Sequence, residues 1–77
     1  MRYELLAVVV LERDLPEHGL RRGELGTVVE LYPPTHLEVE FVTPSGETEA
    51  IVTISEDDVR SAGESDLKAV RPSDHLK

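Results

Sequence analysis

The chain lacks cysteine and tryptophan, and has only one phenylalanine and two tyrosines among 77 residues. The absence of cysteine excludes a disulfide framework, a thiolate metal site and a cysteine nucleophile. It is also typical of a reducing cytoplasm, which is the location that we expect. The apolar run over residues 5–11 is too short to span a bilayer, and it lacks the flanks of a signal peptide. These absences predict a single small cytoplasmic domain.

Positive charge is also missing from the middle of the chain. Residues 24–58 carry nine acidic residues and no Lys or Arg, whereas the segments on either side are nearly balanced and the net charge is −8. Such a stretch repels phosphate backbones and attracts cationic partners. The plainer alternative is that an acidic surface only keeps a small protein in solution.

Short runs of alternating or β-branched apolar residues predict five strands. The first two are joined by a long irregular connection, in which Leu15 and Leu20 are expected to pack under the sheet. Ser55 followed by three acids predicts one helical turn before the last strand. The predicted strands cover residues 5–11, 23–32, 37–42, 47–54 and 59–61.

The central hairpin admits two registers. A four-residue loop containing Pro44 and Gly46 sets Glu40 opposite Glu49 on the outer face, where two carboxylates destabilise the ladder. A three-residue loop with a glycine bulge places Glu49 beside Phe41 instead. Apolar matching across the ladder favours the first register.

The fold class predicted from this pattern is all-β, a small five-stranded SH3-like barrel with a short helical turn before the closing strand. The barrel is expected over residues 1–62. Residues 63–77 are expected to form a C-terminal extension, with a turn over residues 63–65, a further short strand over 67–71 and a frayed end from residue 73.

Several segments carry a family resemblance: Asp14–Leu20, Gly23–Glu30, Glu38–Val42, Gly46 and Thr53. With these, the chain resembles the DUF4926 family over roughly residues 3–62. The family consists of short bacterial proteins without an assigned activity, so no catalytic residue can be carried over. The resemblance implies an SH3-like fold and a role beside a neighbouring gene product, as an antitoxin-like or accessory protein.

The segment Gly23–Leu31 is also similar to the KOW motif of ribosomal and transcription proteins. KOW domains that bind RNA are usually basic, and this chain is acidic where the motif leads into the sheet. The similarity nevertheless implies an alternative function, nucleic-acid binding through the loop arginines Arg13, Arg21 and Arg22. Only Tyr3 and Tyr32 are left as aromatic stacking residues, because Phe41 is expected in the core.

Catalysis has little support in the sequence. The three histidines, His18, His36 and His75, are widely separated, and no nucleophile–base pair or metal-ligand cluster is evident. The glycines at residues 23 and 26 precede a strand, not the helix of a phosphate-binding loop. We therefore expect no enzyme, no cofactor and no metal.

The leading hypothesis is a non-catalytic protein-binding module that docks a basic partner, such as an adjacent gene product, on an acidic sheet face. A homo-oligomer formed through an exposed strand edge is a third candidate, compatible with the first. The carboxylates predicted to form the acidic face are Glu30, Glu38, Glu40, Glu47 and Glu49.

Overall fold

The structure, a computed structural model, describes residues 1–43 and 45–69. Five strands form one antiparallel sheet in the order β4-β3-β2-β1-β5. Short 3-10 turns at Pro16–His18 and Glu56–Asp58 precede β2 and β5. The strands are β1 (Val8–Leu11), β2 (Leu25–Tyr32), β3 (His36–Val42), β4 (Thr48–Ser55) and β5 (Val59–Ser61), followed by the helix α1 (Glu64–Ala69).

The all-β fold class is confirmed, because every described strand belongs to this sheet and the one α-helix among the described residues is short. The end strands β4 and β5 have no ladder between them in this part of the chain. Closure of the sheet into an SH3-like barrel therefore stays a prediction.

The core lies on the inner face of the sheet, as the alternation of apolar residues predicted. Leu37, Val39 and Phe41 of β3 are completely buried. Leu15 and Leu20 of the long connection are only 1% exposed, and they form a bridge to each other beneath the sheet. The prediction that this loop packs back into the core is confirmed.

Gly26, the second residue of β2, lies where no side chain would fit. A Cβ at this position would lie 2.6 Å from Val39 Cγ1 and 2.9 Å from the Phe41 ring. Only a residue without a side chain lets β2 cross β3 so closely over the largest core residue. The glycine therefore serves packing and not phosphate binding.

The favoured four-residue register of the central hairpin is wrong, whereas the register of the alternative three-residue loop is present only next to the turn, where Val42 pairs with Thr48. Glu40 pairs with Ile51, and Phe41 pairs with Ala50, while a bulge at Glu49 separates these pairs from the pair of Val42 with Thr48. The loop has the length of the alternative prediction: the Thr43 N–H donates to the Glu47 carbonyl at 2.8 Å, the Gly46 N–H donates to the Thr43 carbonyl at 2.8 Å, and Gly46 has a φ of 93°, as in a three-residue loop with a glycine bulge. The conformation predicted for residue 44 lies outside the described residues.

The ladder is displaced by two residues from the favoured prediction, which is one full period of a strand. From residue 50 onward each β4 side chain therefore keeps the predicted face although its partner changes, whereas before the bulge Thr48 pairs with Val42 on the outer face. Burial was predictable from alternation, whereas pairing depended on the bulge.

The first predicted strand begins too early. Residues 5–7 form a turn in which the Ala7 N–H donates to the Glu4 carbonyl at 3.1 Å. Leu6 has a φ of 71°, in the left-handed region, and is 73% exposed. An apolar, uninterrupted sequence hides such a turn, because nothing in it marks a break.

The helical turn before β5 is confirmed. Ser55 Oγ accepts a hydrogen bond from the Asp57 N–H at 3.1 Å, and Asp58 Oδ2 accepts one from the Ser55 N–H at 3.2 Å. These two bonds form a reciprocal capping box around the 3-10 turn.

The strand predicted over residues 67–71 is wrong in its described part, because residues 67–69 belong to α1. The predicted turn at residues 63–65 contains the start of this helix. Gly63 donates its N–H to Asp66 Oδ2 at 2.8 Å, which caps the first helical turn. Residues 70 and 71, and the predicted frayed end from residue 73, lie outside the described residues.

Candidate protein-binding face

The outer surface of β2 and β3 carries three glutamates, which we call the acidic face: Glu30, Glu38 and Glu40. Glu38 and Glu40 alternate with the buried residues of β3, and the bulge between Val28 and Glu30 turns Glu30 to the same side of the sheet. The structure thus brings three of the five predicted site residues onto one surface. Glu47 lies exposed in the hairpin loop, and Glu49 lies at the bulge.

Glu30 and Glu38 are directly opposite each other on β2 and β3. Two carboxylates at facing positions destabilise a ladder unless a cation or a donor relieves them. Here the donor is Tyr32, whose hydroxyl donates to Glu38 Oε1 at 2.6 Å. That hydrogen bond and the nearby carboxylates raise the pKa of Tyr32, which keeps the phenol protonated as a donor.

Glu40 faces neutral residues, so the predicted opposition of Glu40 to Glu49 is wrong. Its neighbours across the ladder are Thr27 on β2 and Ile51 on β4. Thr48 donates its hydroxyl to Glu40 Oε2 at 2.6 Å. The Glu40 carboxylate is therefore oriented by a hydroxyl group.

A cleft of about 620 Å³ opens where β2 begins and the hairpin loop ends. The bulge turns Glu49 into this cleft beside Glu24, and the hydrogen bond between the two carboxyl groups raises the pKa of Glu49. Leu25 and Val42 line the cleft and stand two residues from Thr27 and Glu40 on their strands, which places the cleft next to the acidic face. The full lining is Gly23, Glu24, Leu25, Val42, Thr43, Gly46 and Glu49.

The nine acids of the base-free stretch divide into two groups. Three of them, Glu56, Asp57 and Asp58, form ion pairs with arginines from the beginning of the chain. Arg2 contacts Glu56 at 3.5 Å and also pairs with Asp57, and Arg13 Nε contacts Asp58 at 2.9 Å.

The other six acids have no ion pair within residues 1–43 and 45–69: Glu24, Glu30, Glu38, Glu40, Glu47 and Glu49. They comprise the acidic face, the cleft and the loop between them. Within residues 24–58, the acids without an ion pair therefore lie on the acidic face, in the cleft and in the hairpin loop, whereas those before β5 are paired.

Of the three loop arginines, Arg13 alone has an ion pair among the described residues. Arg13 is paired with Asp58. The Arg21 and Arg22 backbone N–H groups donate to carboxylates, Glu24 Oε2 at 2.9 Å and Asp14 Oδ1 at 2.8 Å. The guanidinium groups of Arg21 and Arg22 have no ion pair in the described part of the chain, and the two acids contact only the backbone of these arginines.

Sequence reasoning missed Glu24 and the two donors Tyr32 and Thr48 as members of the site. Glu24 lies in the base-free stretch, so charge counting alone could have included it. The donors had no signal, because their contacts depend on the registers set by bulges in β2 and β4.

No group of three or more His, Cys, Asp or Glu residues in the described part of the chain is placed to hold a metal ion. Of the histidines, His36 contacts the Thr35 hydroxyl through Nδ1 at 3.0 Å. No helix among the described residues is long and apolar enough to cross a membrane.

Sheet order, register and core together define a small all-β domain with one five-stranded antiparallel sheet. The sequence belongs to the DUF4926 family, described as a domain of unknown function, whose family model matches residues 5–61. This match confirms the family predicted from the sequence. No curated protein matches the chain, and no solved structure does either.

Proposed function

We propose that the protein is a non-catalytic protein-binding module that docks a basic partner on the acidic face and the adjoining cleft. One observation supports this most: Glu30 is held against Glu38, and Glu24 against Glu49, without a cation in the described residues. Acids elsewhere in the same stretch have arginine partners. Like charges kept together at a cost to folding suit a surface whose counter-charges come from another molecule.

Docking of this kind has a defined dependence on charge and on salt. Arg or Lys side chains of the partner would relieve the repulsion between facing carboxylates, and the field of the six unpaired acids would speed the encounter. Salt screens both effects, so the complex weakens as ionic strength rises. We propose the cytoplasm as the location and the product of a neighbouring gene as the partner, with an antitoxin-like or accessory role.

Co-purification with the neighbouring gene product, at low and at moderate salt, tests the proposal. The triple variant Glu30→Gln/Glu38→Gln/Glu40→Gln is expected to weaken binding about tenfold or more, equivalent to about 1.4 kcal/mol or more. The matched control is Glu4→Gln/Glu17→Gln/Glu64→Gln, which removes the same charge from exposed positions away from the acidic face.

Three results would overturn the proposal. One is no recovery of the neighbouring product at either salt concentration. Another is an equal loss of binding in both triple variants, which would show that total charge and not the face is responsible. The third is retention of RNA or DNA in low-salt filter binding that Arg21→Gln/Arg22→Gln abolishes, which would favour the nucleic-acid alternative.

A further inference from the structure

One edge of the sheet is open. Within the described residues, strand β4 pairs only with β3. Apart from the Ser55 N–H, which donates to Asp58 Oδ2 at 3.2 Å, no backbone group of β4 bonds elsewhere in residues 1–43 and 45–69. An open edge is a row of backbone donors and acceptors that fits another strand.

The ladder geometry identifies which groups face outward. The Glu56 N–H donates to the Thr35 carbonyl at 2.8 Å, just beyond the pair of His36 with Ser55. In an antiparallel ladder, a bond at this place makes His36 and Ser55 a non-hydrogen-bonded pair, and the two kinds of pair then alternate. Accordingly, Ile51 and Thr53 are also non-hydrogen-bonded with β3, and their N–H and C=O groups point to the open edge.

This edge has none of the usual protection against strand addition. Residues 50–55 contain no charge, no proline and no glycine, and the bulge lies before them at Glu49. The opposite edge, β5, is only three residues long and carries Arg60, which is ion-paired with Glu12 at 3.6 Å and Asp66 at 2.9 Å. Short length and charge both discourage pairing there.

We propose that two copies of the chain form a two-fold symmetric dimer in which their β4 strands pair antiparallel. With Val52 on the symmetry axis, Ile51 faces Thr53 of the second copy, and each such pair exchanges two hydrogen bonds. This register keeps inner-face residues with inner-face residues and continues the sheet across the dimer. It also covers Ile51, a large apolar side chain that is 52% exposed in the single chain.

The charges of the edge favour a second copy over the basic partner. Glu49 is the only charged residue of β4, and in this register it faces Ser55 of the second copy, so no carboxylate opposes a carboxylate. The edge offers no charge to a basic ligand beyond that residue, whereas a β-branched strand is matched by itself. Each copy carries a net charge of −8, so the two copies repel each other at long range, and salt is expected to strengthen the dimer.

Sedimentation equilibrium of the full chain, over a range of concentrations and from low to high NaCl, tests the dimer. We expect a monomer–dimer equilibrium whose dissociation constant falls as NaCl rises. Thr53→Pro removes an outward N–H without removing a bond to β3, and it should raise the dissociation constant about tenfold or more, while circular dichroism shows that the fold is kept.

Ile51→Lys places one lysine on each copy at the edge, and in the proposed register the two lysines lie diagonally across the symmetry axis. This change should also raise the dissociation constant of the dimer. Its matched control is Val42→Lys, the same change at an exposed position on the interior strand β3, which should leave dimerisation unchanged. A chain that stays monomeric at every concentration and salt overturns the proposal. A dimer that Ile51→Lys leaves intact, or that Val42→Lys weakens equally, also overturns it.

The proposed docking of a basic partner and the proposed dimer can be overturned independently of each other. Docking of a basic partner weakens with salt and depends on the acidic face, whereas the dimer strengthens with salt and depends on the β4 edge. Glu30→Gln/Glu38→Gln/Glu40→Gln, tested in the same sedimentation experiment, should not weaken the dimer.

Discussion

Among the residues that the structure describes, Leu6 is the only non-glycine residue in the left-handed backbone region, with a φ of 71°. Its side chain is 73% exposed. A left-handed conformation costs an L-residue with a branched side chain about 1–2 kcal/mol, and asparagine tolerates it better. We expect Leu6→Asn to increase the free energy of unfolding by about 0.5–1 kcal/mol in urea denaturation. Leu5→Asn, the same change at the exposed neighbour, should give no gain, and an equal gain in both would contradict the strain argument.

Gly26 gives a second test at the scale of one residue. In Gly26→Ala the new methyl group would lie 2.6 Å from Val39 Cγ1 and 2.9 Å from the Phe41 ring. Those side chains are completely buried and cannot move aside freely. Overpacking of this kind costs about 1–3 kcal/mol, and urea unfolding should show a loss of that size.

Gly63→Ala is the matched control for Gly26→Ala. Its nearest new contact would be Asp66 Oδ2 at 3.6 Å, an ordinary van der Waals distance. It should change the free energy of unfolding much less, and equal losses would show that the close packing at Gly26 is not the cause.

The burial of a single residue was predictable from the sequence where it depended only on the apolar character of the side chain. Leu15 and Leu20 were predicted to be buried because the core of a chain this small draws on apolar side chains from its loops as well as its strands. Leu6 is equally apolar and was predicted in a strand, yet it lies exposed in a turn. The difference arises from hydrogen bonds to residues distant in sequence, such as the Leu6 N–H to the Val28 carbonyl at 2.7 Å.

Among the elements, the hairpin of β3 and β4 separates what alternation determines from what it does not. Alternation placed Phe41 inside and Glu40 outside, and both placements are confirmed. It could not place the bulge at Glu49, because a bulge shifts partners while burying the same apolar residues. The members of the acidic face on β3 were therefore predictable, whereas the cleft beside them was not.

The helix α1 is tied to β5 by one aspartate, which gives a prediction about pH. Bonds from the Arg60 guanidinium, at 2.9 and 3.0 Å, and from the Gly63 N–H lower the pKa of Asp66 to about 2. A carboxyl whose pKa is depressed by folding stabilises the fold above its unfolded pKa, and this contribution is lost as the pH falls through the folded pKa. The tether should therefore weaken between about pH 4 and pH 2.

Carbon-detected NMR titration of the Asp66 carboxyl measures this directly. The folded protein should titrate near 2, and Arg60→Gln should move the value upward, toward that of an ordinary aspartate. The amides of α1 should exchange faster in Asp66→Asn than in the unmodified chain at neutral pH. A titration of Asp66 near its ordinary value would show that the tether does not form in solution.

For the whole molecule, the sequence predicted the sign of the charge on the sheet but not its division into paired and unpaired acids. Arg2 and Arg13 meet their partners across more than 40 residues of chain, and no local pattern reports such contacts. Within the base-free stretch, the acids before β5 are therefore paired with arginines, whereas those of the acidic face and the cleft have no ion pair among the described residues. Charge counting along the chain treated both regions as a single negative field.

The free-energy cost of holding two carboxyl groups together in the cleft can be measured through Glu49. Its pKa is raised, first by the hydrogen bond with the Glu24 carboxyl group. A carboxyl whose pKa is raised by folding favours the fold most below its unfolded pKa, and this contribution is lost as the pH rises through the folded pKa. At neutral pH the pair therefore opposes folding, and Glu49→Gln should raise the melting temperature at pH 7 by roughly 2–4 °C.

Near pH 4 the same Glu49→Gln change should give little or no gain, because Glu49 is then largely protonated in the unmodified chain. Raising NaCl at pH 7 should also reduce the gain, since screening already weakens the repulsion. Glu47→Gln removes an equal charge two residues away, in the loop, without facing Glu24, and it should stabilise less. Equal gains for both variants would mean that net charge, and not the Glu24–Glu49 contact, sets the cost of this surface.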